Sequence, residues 1–112
     1  MWFHAYYFQN KPQIVLEKKK KKIEEKYSTL TQAFKGQHVK FFYACKALSN
    51  LNILKIVKKM GAGLDTVSIN EVLLGLKAGF EPHEILYTPN CVHFEEIKQA
   101  FKVSHLAAKI EQ

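Results

Sequence analysis

The residue of this sequence best placed to carry chemistry is Lys46, which follows the apolar and aromatic run Val39–Ala44 (VKFFYA). Such a run is typical of a strand buried on both faces rather than of an amphipathic helix. The polar pair Ser49-Asn50 follows, and then apolar residues at helical spacing up to Gly61. Lys46 is therefore predicted between a strand and a helix, at the edge where α/β proteins bind ligands. The chemistry available there is that of a primary amine, which partial burial allows to lose its proton. The alternative is a solvated loop lysine, since lysine is rarely buried without a partner.

A second candidate is Asp65, in the predicted second strand Leu64–Val67. Because side chains alternate along a strand, Lys46 is expected to share a face with Phe42 and Ala44. If Asp65 lies on the same face of the sheet as Lys46, its carboxylate approaches the lysine ammonium or the ligand that the lysine holds. The alternative is a turn aspartate that caps the backbone locally.

The pattern from residue 39 onward predicts three β-α units, with strands centred near residues 41, 66 and 86. Ser68 and Glu71 have the spacing of a capping box, so a helix should begin there and end at Gly79. The third strand, Ile85–Thr88, precedes Pro89–Cys91, which either lines a pocket or is simply a turn. Right-handed crossovers between such units make the sheet parallel.

Further elements are predicted on either side of these units. Ala5–Phe8 could be a short strand, and apolar residues recur at helical spacing from Pro12 to Phe34. Five consecutive lysines, Lys18–Lys22, interrupt that pattern; they either contact a polyanion or membrane surface or form the solvated side of the helix. We favour the solvated side, because interleaved aromatic residues and arginines are missing.

The end of the sequence continues the third unit with a helix that carries Phe94, Ile97 and Phe101. A fourth strand is expected next, but Lys102–Gln112 reads as helix or filler.

Composition limits the classes of protein that fit. A chain of 112 residues suits one small domain, and its net charge of +7 rests on 17 basic residues that are all lysines. Without arginine, a nucleic-acid partner is not expected. No apolar run reaches the length of about 18 residues that a membrane span needs. Cys45 and Cys91 are predicted to be free thiols in a reducing cytosol, and nothing assembles the five histidines into a metal site.

Three stretches resemble one family of enzymes. YACKALSNLNIL, residues 43–54, resembles the cofactor-attachment segment of the pyridoxal phosphate-dependent decarboxylases that act on diaminopimelate, ornithine or arginine. GAGLDTVSINEVLLGLKAGF, residues 61–80, resembles the second strand and helix of that family, and ILYTPNCVHFEEI, residues 85–97, its third unit. Within this family, the amino-acid sequence of the three stretches most resembles that of the diaminopimelate decarboxylases. The resemblance covers residues 39–101 well and residues 5–34 loosely.

The resemblance implies a catalytic role for Lys46, whose amine would condense with the aldehyde of pyridoxal phosphate. It also implies that Asp65 matches an acidic residue near the cofactor. The reaction implied is decarboxylation of meso-diaminopimelate to L-lysine, a cytoplasmic step of lysine biosynthesis that full-length family members carry out as homodimers. The alternatives are ornithine or arginine decarboxylation, a non-catalytic pyridoxal phosphate carrier, and a small basic interaction protein.

The resemblance further implies an α/β fold: a partial TIM-type (β/α) barrel with about three β-α units after an N-terminal strand and a long helix. Residues 1–112 would be the N-terminal portion of a pyridoxal phosphate-binding (β/α)8 barrel of the alanine-racemase type. Its C-terminal half and the β domain would be absent, since a whole barrel typically has about 250 residues. Three parallel strands leave open edges, so this polypeptide alone is expected to be inactive and only marginally folded.

Overall fold

The computed structural model describes residues 12–47 and 49–111, with four α-helices and three β-strands in them. The elements in chain order are α1 (Pro12–Ala33), β1 (Phe42–Ala44), α2 (Leu51–Lys59), β2 (Gly63–Thr66), α3 (Ile69–Ala78), β3 (Ile85–Tyr87) and α4 (Phe94–Glu111). Short 3-10 helices span Cys45–Ala47 and Pro82–Glu84. The strand predicted at Ala5–Phe8 lies outside the described residues.

The chain divides between His38 and Val39 into two compact units. The first holds α1, which confirms the predicted long helix; along it Lys18–Lys22 are all exposed, and Lys20 forms an ion pair with Glu24 one turn later (3.9 Å). An exposed i,i+4 pair of this kind is typical of a solvated helix face.

The second unit contains a three-stranded parallel sheet in the order β1-β2-β3, as the repeated β-α pattern predicts. Ala44 of β1 lies beside Asp65 of β2, which in turn lies beside Leu86 of β3. The α/β class is therefore confirmed, and all three strands end at one edge of the sheet.

The two faces of this sheet differ in burial. Leu64 and Thr66 point to one face and are fully buried, because α3 packs there closely enough for Gly75 to meet Leu64. On the opposite face Asp65 is only half-buried, and Leu86 is 45% exposed. Helices therefore cover one face of the sheet, and the core lies between that face and the helices.

This difference corrects the prediction that Val39–Ala44 forms a strand buried on both faces. The strand is only Phe42–Ala44, its three side chains are half-buried, and Val39 and Lys40 are exposed. A run that is apolar apart from Lys40 does not distinguish a sheet covered on one face from a sheet covered on both, because apolar residues can also lie on the uncovered face.

The helix boundaries follow the capping signals in the sequence. Asn50 caps α2 by accepting hydrogen bonds from the Asn52 and Ile53 N–H groups (2.9 and 3.4 Å). Ser68 and Glu71 form the predicted capping box of α3, and Gly79 ends it in the left-handed conformation (φ 103°), which glycine adopts without strain.

Helix α4 begins at Phe94 and continues to Glu111, so the tail of the sequence is helix rather than a fourth strand. Along α4, Phe94 is 68% and Phe101 is 73% exposed, and with Ile97 they line an apolar groove. Ala100 is buried, so α4 turns this small residue toward the core.

An ion pair joins the end of α2 to the segment that leads into β3. Lys58 Nζ donates to Glu84 Oε2 (2.8 Å), and the Glu81 N–H donates to the same oxygen (2.8 Å). Burial by itself would raise the pKa of Glu84, but these hydrogen bonds and the charge of Lys58 hold that pKa below its usual value. Such a carboxyl stabilises the fold above its unfolded-state pKa and loses that contribution as the pH falls through its folded-state pKa.

We therefore expect Glu84→Gln to lower the free energy of unfolding by about 1 kcal/mol near neutral pH. In urea unfolding followed by circular dichroism, this difference from the wild type should shrink as the pH falls below about 4. Lys58→Met should show a similar loss near neutral pH. The control is Glu95→Gln, since the Glu95 side chain in the Lys98 pair is 75% exposed. A difference for Glu84→Gln that did not change with pH would contradict the assignment.

Candidate functional site

The carboxyl edge of the sheet brings together residues from three distant parts of the sequence. The strands end at Ala44, Thr66 and Tyr87, and in a parallel sheet these ends lie along the same edge. Polar side chains near that edge include those of Lys46, Asp65 and Thr88. Two of the three are the residues that the sequence singles out for chemistry.

Lys46 lies in the 3-10 helix Cys45–Ala47, which connects β1 to α2. The prediction that the strand continues through Lys46 is wrong, because β1 ends at Ala44 and a 3-10 turn follows. The fully buried Cys45 anchors this turn, and Ser49 Oγ donates to the Cys45 carbonyl (3.3 Å). The predicted placement of the lysine, after a strand and before a helix, is what the structure contains.

The Lys46 side chain is exposed, and its ammonium makes no ion pair within the part of the chain that the structure describes. The partial burial that was expected to favour the neutral amine is therefore absent in this chain, and the exposure of Lys46 is the one that the alternative of a solvated loop lysine predicts. Ala44, the last residue of β1, is half-buried.

Asp65 lies within β2, so the alternative of a turn aspartate that caps the backbone locally is wrong. Its Oδ1 accepts a hydrogen bond of 2.7 Å from Thr88 Oγ1, 23 residues away in the sequence. Between the described side chains of Asp65 and Lys46 no ion pair forms, although Asp65 lies beside Ala44 in the sheet. The role of Asp65 toward a cofactor stays a prediction.

Thr88 is the residue of this edge that the sequence reasoning missed. Its N–H donates to the Thr66 carbonyl (2.8 Å), which extends the pairing of β2 with β3 by one residue. The sequence does contain a signal for this contact. Thr88 ends the predicted third strand, and aligning the ends of consecutive parallel strands places it near Asp65.

The cysteines near this edge are both free. Burial, and then the negative charge of Glu71, raise the pKa of the Cys45 thiol, so this thiol is less reactive than an ordinary one. Cys91 is exposed and has a positive φ of 54° in the bend that follows β3, where Pro89–Cys91 form the turn that the sequence allowed.

Within residues 12–47 and 49–111, no cluster of three or more His, Cys, Asp or Glu side chains could hold a metal ion. None of the helices in those ranges is both long and apolar enough to cross a membrane.

The chain is an α/β protein with a parallel sheet, and a lysine and an aspartate lie toward the carboxyl edge, where α/β proteins bind ligands. Residues 20–111 match the family described as "Pyridoxal-dependent decarboxylase, pyridoxal binding domain". The chain belongs to this family, which confirms the resemblance read from the sequence and makes pyridoxal phosphate the expected cofactor.

Individual relatives agree with the family. Diaminopimelate decarboxylase of Methanothermobacter thermautotrophicus is 44% identical over 81 residues, which are 70% of this chain and 19% of that protein. The enzyme of the same name from Helicobacter pylori strain J99 is 39% identical over 90 residues, 80% of this chain and 22% of that protein. The chain thus spans about a fifth of the length of these curated relatives.

A solved structure shares the fold. The crystal structure of diaminopimelate decarboxylase from Helicobacter pylori complexed with L-lysine matches with a TM-score of 0.69 and 38% identity, covering 76% of this chain and 22% of that one. Parallel strands with helices on one face, in a chain that matches such an enzyme, confirm the predicted partial (β/α) barrel.

The residues present fit pyridoxal phosphate. The cofactor needs an accessible lysine amine, and Lys46 is exposed at the carboxyl edge of the sheet with no ion-pair partner among the described residues. Lys46 would hold the cofactor through its aldehyde. Asp65, half-buried on the face that the helices leave uncovered, is the acidic group available to it.

Proposed function

We propose that this chain provides the cofactor-binding lysine of a pyridoxal phosphate-dependent decarboxylase that converts meso-diaminopimelate to L-lysine. The observation that carries the proposal is the position of Lys46, exposed in the turn that joins the first strand of a parallel sheet to its helix. The names of the relatives, and the L-lysine bound in the Helicobacter pylori enzyme, support diaminopimelate as the substrate.

The chemistry divides between the cofactor and the residues of this chain. When bound, pyridoxal phosphate supplies a conjugated ring that accepts the electrons released as the α-carboxylate of the amino acid leaves. Lys46 binds the cofactor covalently, which requires the neutral form of its amine. Asp65 presents a negative charge on the same edge of the sheet, where it can approach the Lys46 ammonium or the cofactor that Lys46 would hold.

We also propose that residues 1–112 are the N-terminal portion of a pyridoxal phosphate-binding barrel and that the whole enzyme is a homodimer with an amino-acid substrate. A nucleic-acid partner is not part of this proposal, since the basic residues are all lysines, and neither is a membrane partner. The free thiols of Cys45 and Cys91 support a cytoplasmic location, because disulfides form in oxidising compartments.

The test is to locate the cofactor on the wild-type chain. The purified protein is incubated with pyridoxal phosphate, reduced with borohydride and digested, and the phosphopyridoxyl group is located by mass spectrometry. We expect at least about tenfold more label on Lys46 than on any of the other 16 lysines, because only Lys46 lies at the carboxyl edge of β1. Label spread evenly over exposed lysines such as Lys55 and Lys77 would contradict the proposal.

A further inference from the structure

The hydrogen bond between Thr88 and Asp65 links the ends of two strands through side chains. Thr88 Oγ1 lies 2.7 Å from Asp65 Oδ1 and 3.4 Å from the Thr66 carbonyl oxygen. A hydroxyl has one proton to donate, and the Thr66 carbonyl already accepts the Thr88 N–H at 2.8 Å. The Asp65 carboxylate is therefore the acceptor of the hydrogen bond that the Thr88 hydroxyl donates.

A bond of this length from a hydroxyl to a carboxylate is of the charge-assisted kind, which is stronger and more directional than one between neutral groups. The terminal torsion of an aspartate side chain is otherwise broad, so an unbound carboxylate has no single orientation. By fixing Oδ1, Thr88 determines the direction of Oδ2, which accepts no hydrogen bond from the described residues.

The hydrogen bond between Thr88 and Asp65 contributes little to the stability of the sheet. Thr88 is exposed, and two other hydrogen bonds already join β2 to the end of β3: the Thr88 N–H to the Thr66 carbonyl, and Thr66 Oγ1 to the Leu86 carbonyl (2.8 Å). Removing the Thr88 hydroxyl leaves both in place. Its one distinct effect is on the carboxylate of Asp65.

We propose that Thr88 is a positioning residue, which orients the Asp65 carboxylate so that Oδ2 is presented to the cofactor held by Lys46. This inference rests on the proposed function, in which Lys46 and Asp65 bind pyridoxal phosphate. Thr88 itself touches neither the cofactor nor the substrate in this scheme and acts through Asp65.

The test compares Thr88→Val, which keeps the shape of threonine without its hydroxyl, with Thr88→Ser, which keeps the hydroxyl. The Kd for pyridoxal phosphate is measured from the visible absorption of the lysine-bound cofactor. We expect Thr88→Val to raise the Kd about tenfold and Thr88→Ser to change it less than about twofold. The melting temperature of the cofactor-free Thr88→Val protein should stay within about 5 °C of the wild type, since the sheet is intact.

A double-mutant cycle separates positioning from a structural role. In the Asp65→Ala background the hydroxyl has no carboxylate to orient, so Thr88→Val should have no further effect on the Kd. An equal effect of Thr88→Val in both backgrounds, or loss of affinity in Thr88→Ser as well, would overturn the inference. The inference would also be overturned if the Thr88→Val protein bound pyridoxal phosphate as tightly as a wild type that is labelled at Lys46. That result would leave the proposed function standing. A wild type that never attaches the cofactor at Lys46 overturns the proposed function and the inference together.

Discussion

Replacing Lys46 with arginine is expected to reduce covalent attachment of pyridoxal phosphate to background, the largest single effect that this structure predicts. Arginine keeps the positive charge and similar length, but its guanidinium stays protonated at any pH that proteins tolerate and offers no nucleophilic amine. The side chain at position 46 is exposed, so the substitution should leave the fold unchanged. The measurement is the mass of the intact protein after borohydride reduction, which counts attached phosphopyridoxyl groups.

The matched control is Lys55→Arg, which changes another exposed lysine of the same unit, on α2. It should be labelled to the wild-type extent, and both variants should have the circular dichroism spectrum of the wild type. If Lys46→Arg retained one attached group per chain at a different lysine, the amine at the strand tip would have no special reactivity and the proposed function would be wrong.

The second large effect is expected from Gly75→Val, which should lower the free energy of unfolding by about 3 kcal/mol. A Cβ atom at Gly75 would lie 2.5 Å from Cδ2 of Leu64 and 3.4 Å from Cδ1 of Ile85. Leu64 is fully buried, so the close contact is relieved only if its side chain displaces its neighbours in the core or α3 moves away from the sheet. Urea unfolding followed by circular dichroism measures the loss, with trimethylamine N-oxide present so that the folded baseline is retained.

Two comparisons isolate the steric cause. Lys77→Val places the same side chain at an exposed position of α3, where about 0.5 kcal/mol or less is expected from helix propensity alone. In the Leu64→Val background the colliding Cδ2 atom is gone, and Gly75→Val should cost less than half of what it costs in the wild type. A similar loss for Gly75→Val and Lys77→Val would refute close packing of α3 on β2.

Local signals in the sequence predicted the helices of the second unit well. The capping box of Ser68 and Glu71, the stop at Gly79 and the start of α2 after Asn50 each depend on hydrogen bonds within a few residues, so the sequence contains all the partners. The same holds for the position of Lys46 between a strand and a helix. The 3-10 helix Pro82–Glu84 was missed, although Glu81 and Glu84 have capping-box spacing around a proline.

The features that the sequence did not predict depend on contacts between distant segments. Whether β1 is covered on one face or two is decided by where the helices pack, which its own apolar residues do not encode. The hydrogen bond from Thr88 to Asp65 depends on the register of β2 against β3, and a shift of one residue would point Thr88 to the other face. The cofactor roles of Lys46 and Asp65 came from the resemblance, because a strand tip favours ligand binding without specifying the ligand.

The unequal covering of the sheet also has an evolutionary consequence. Along β2, Leu64 and Thr66 are enclosed by their neighbours, whereas Asp65 between them faces the uncovered side. Substitution at Leu64 or Thr66 is limited by the folding of the chain itself, while substitution at Asp65 is limited less by packing than by the role proposed for its carboxylate. Selection for stability and selection for chemistry therefore act on alternate positions of one strand, so a lineage can change its reaction at this edge without having to rebuild its core.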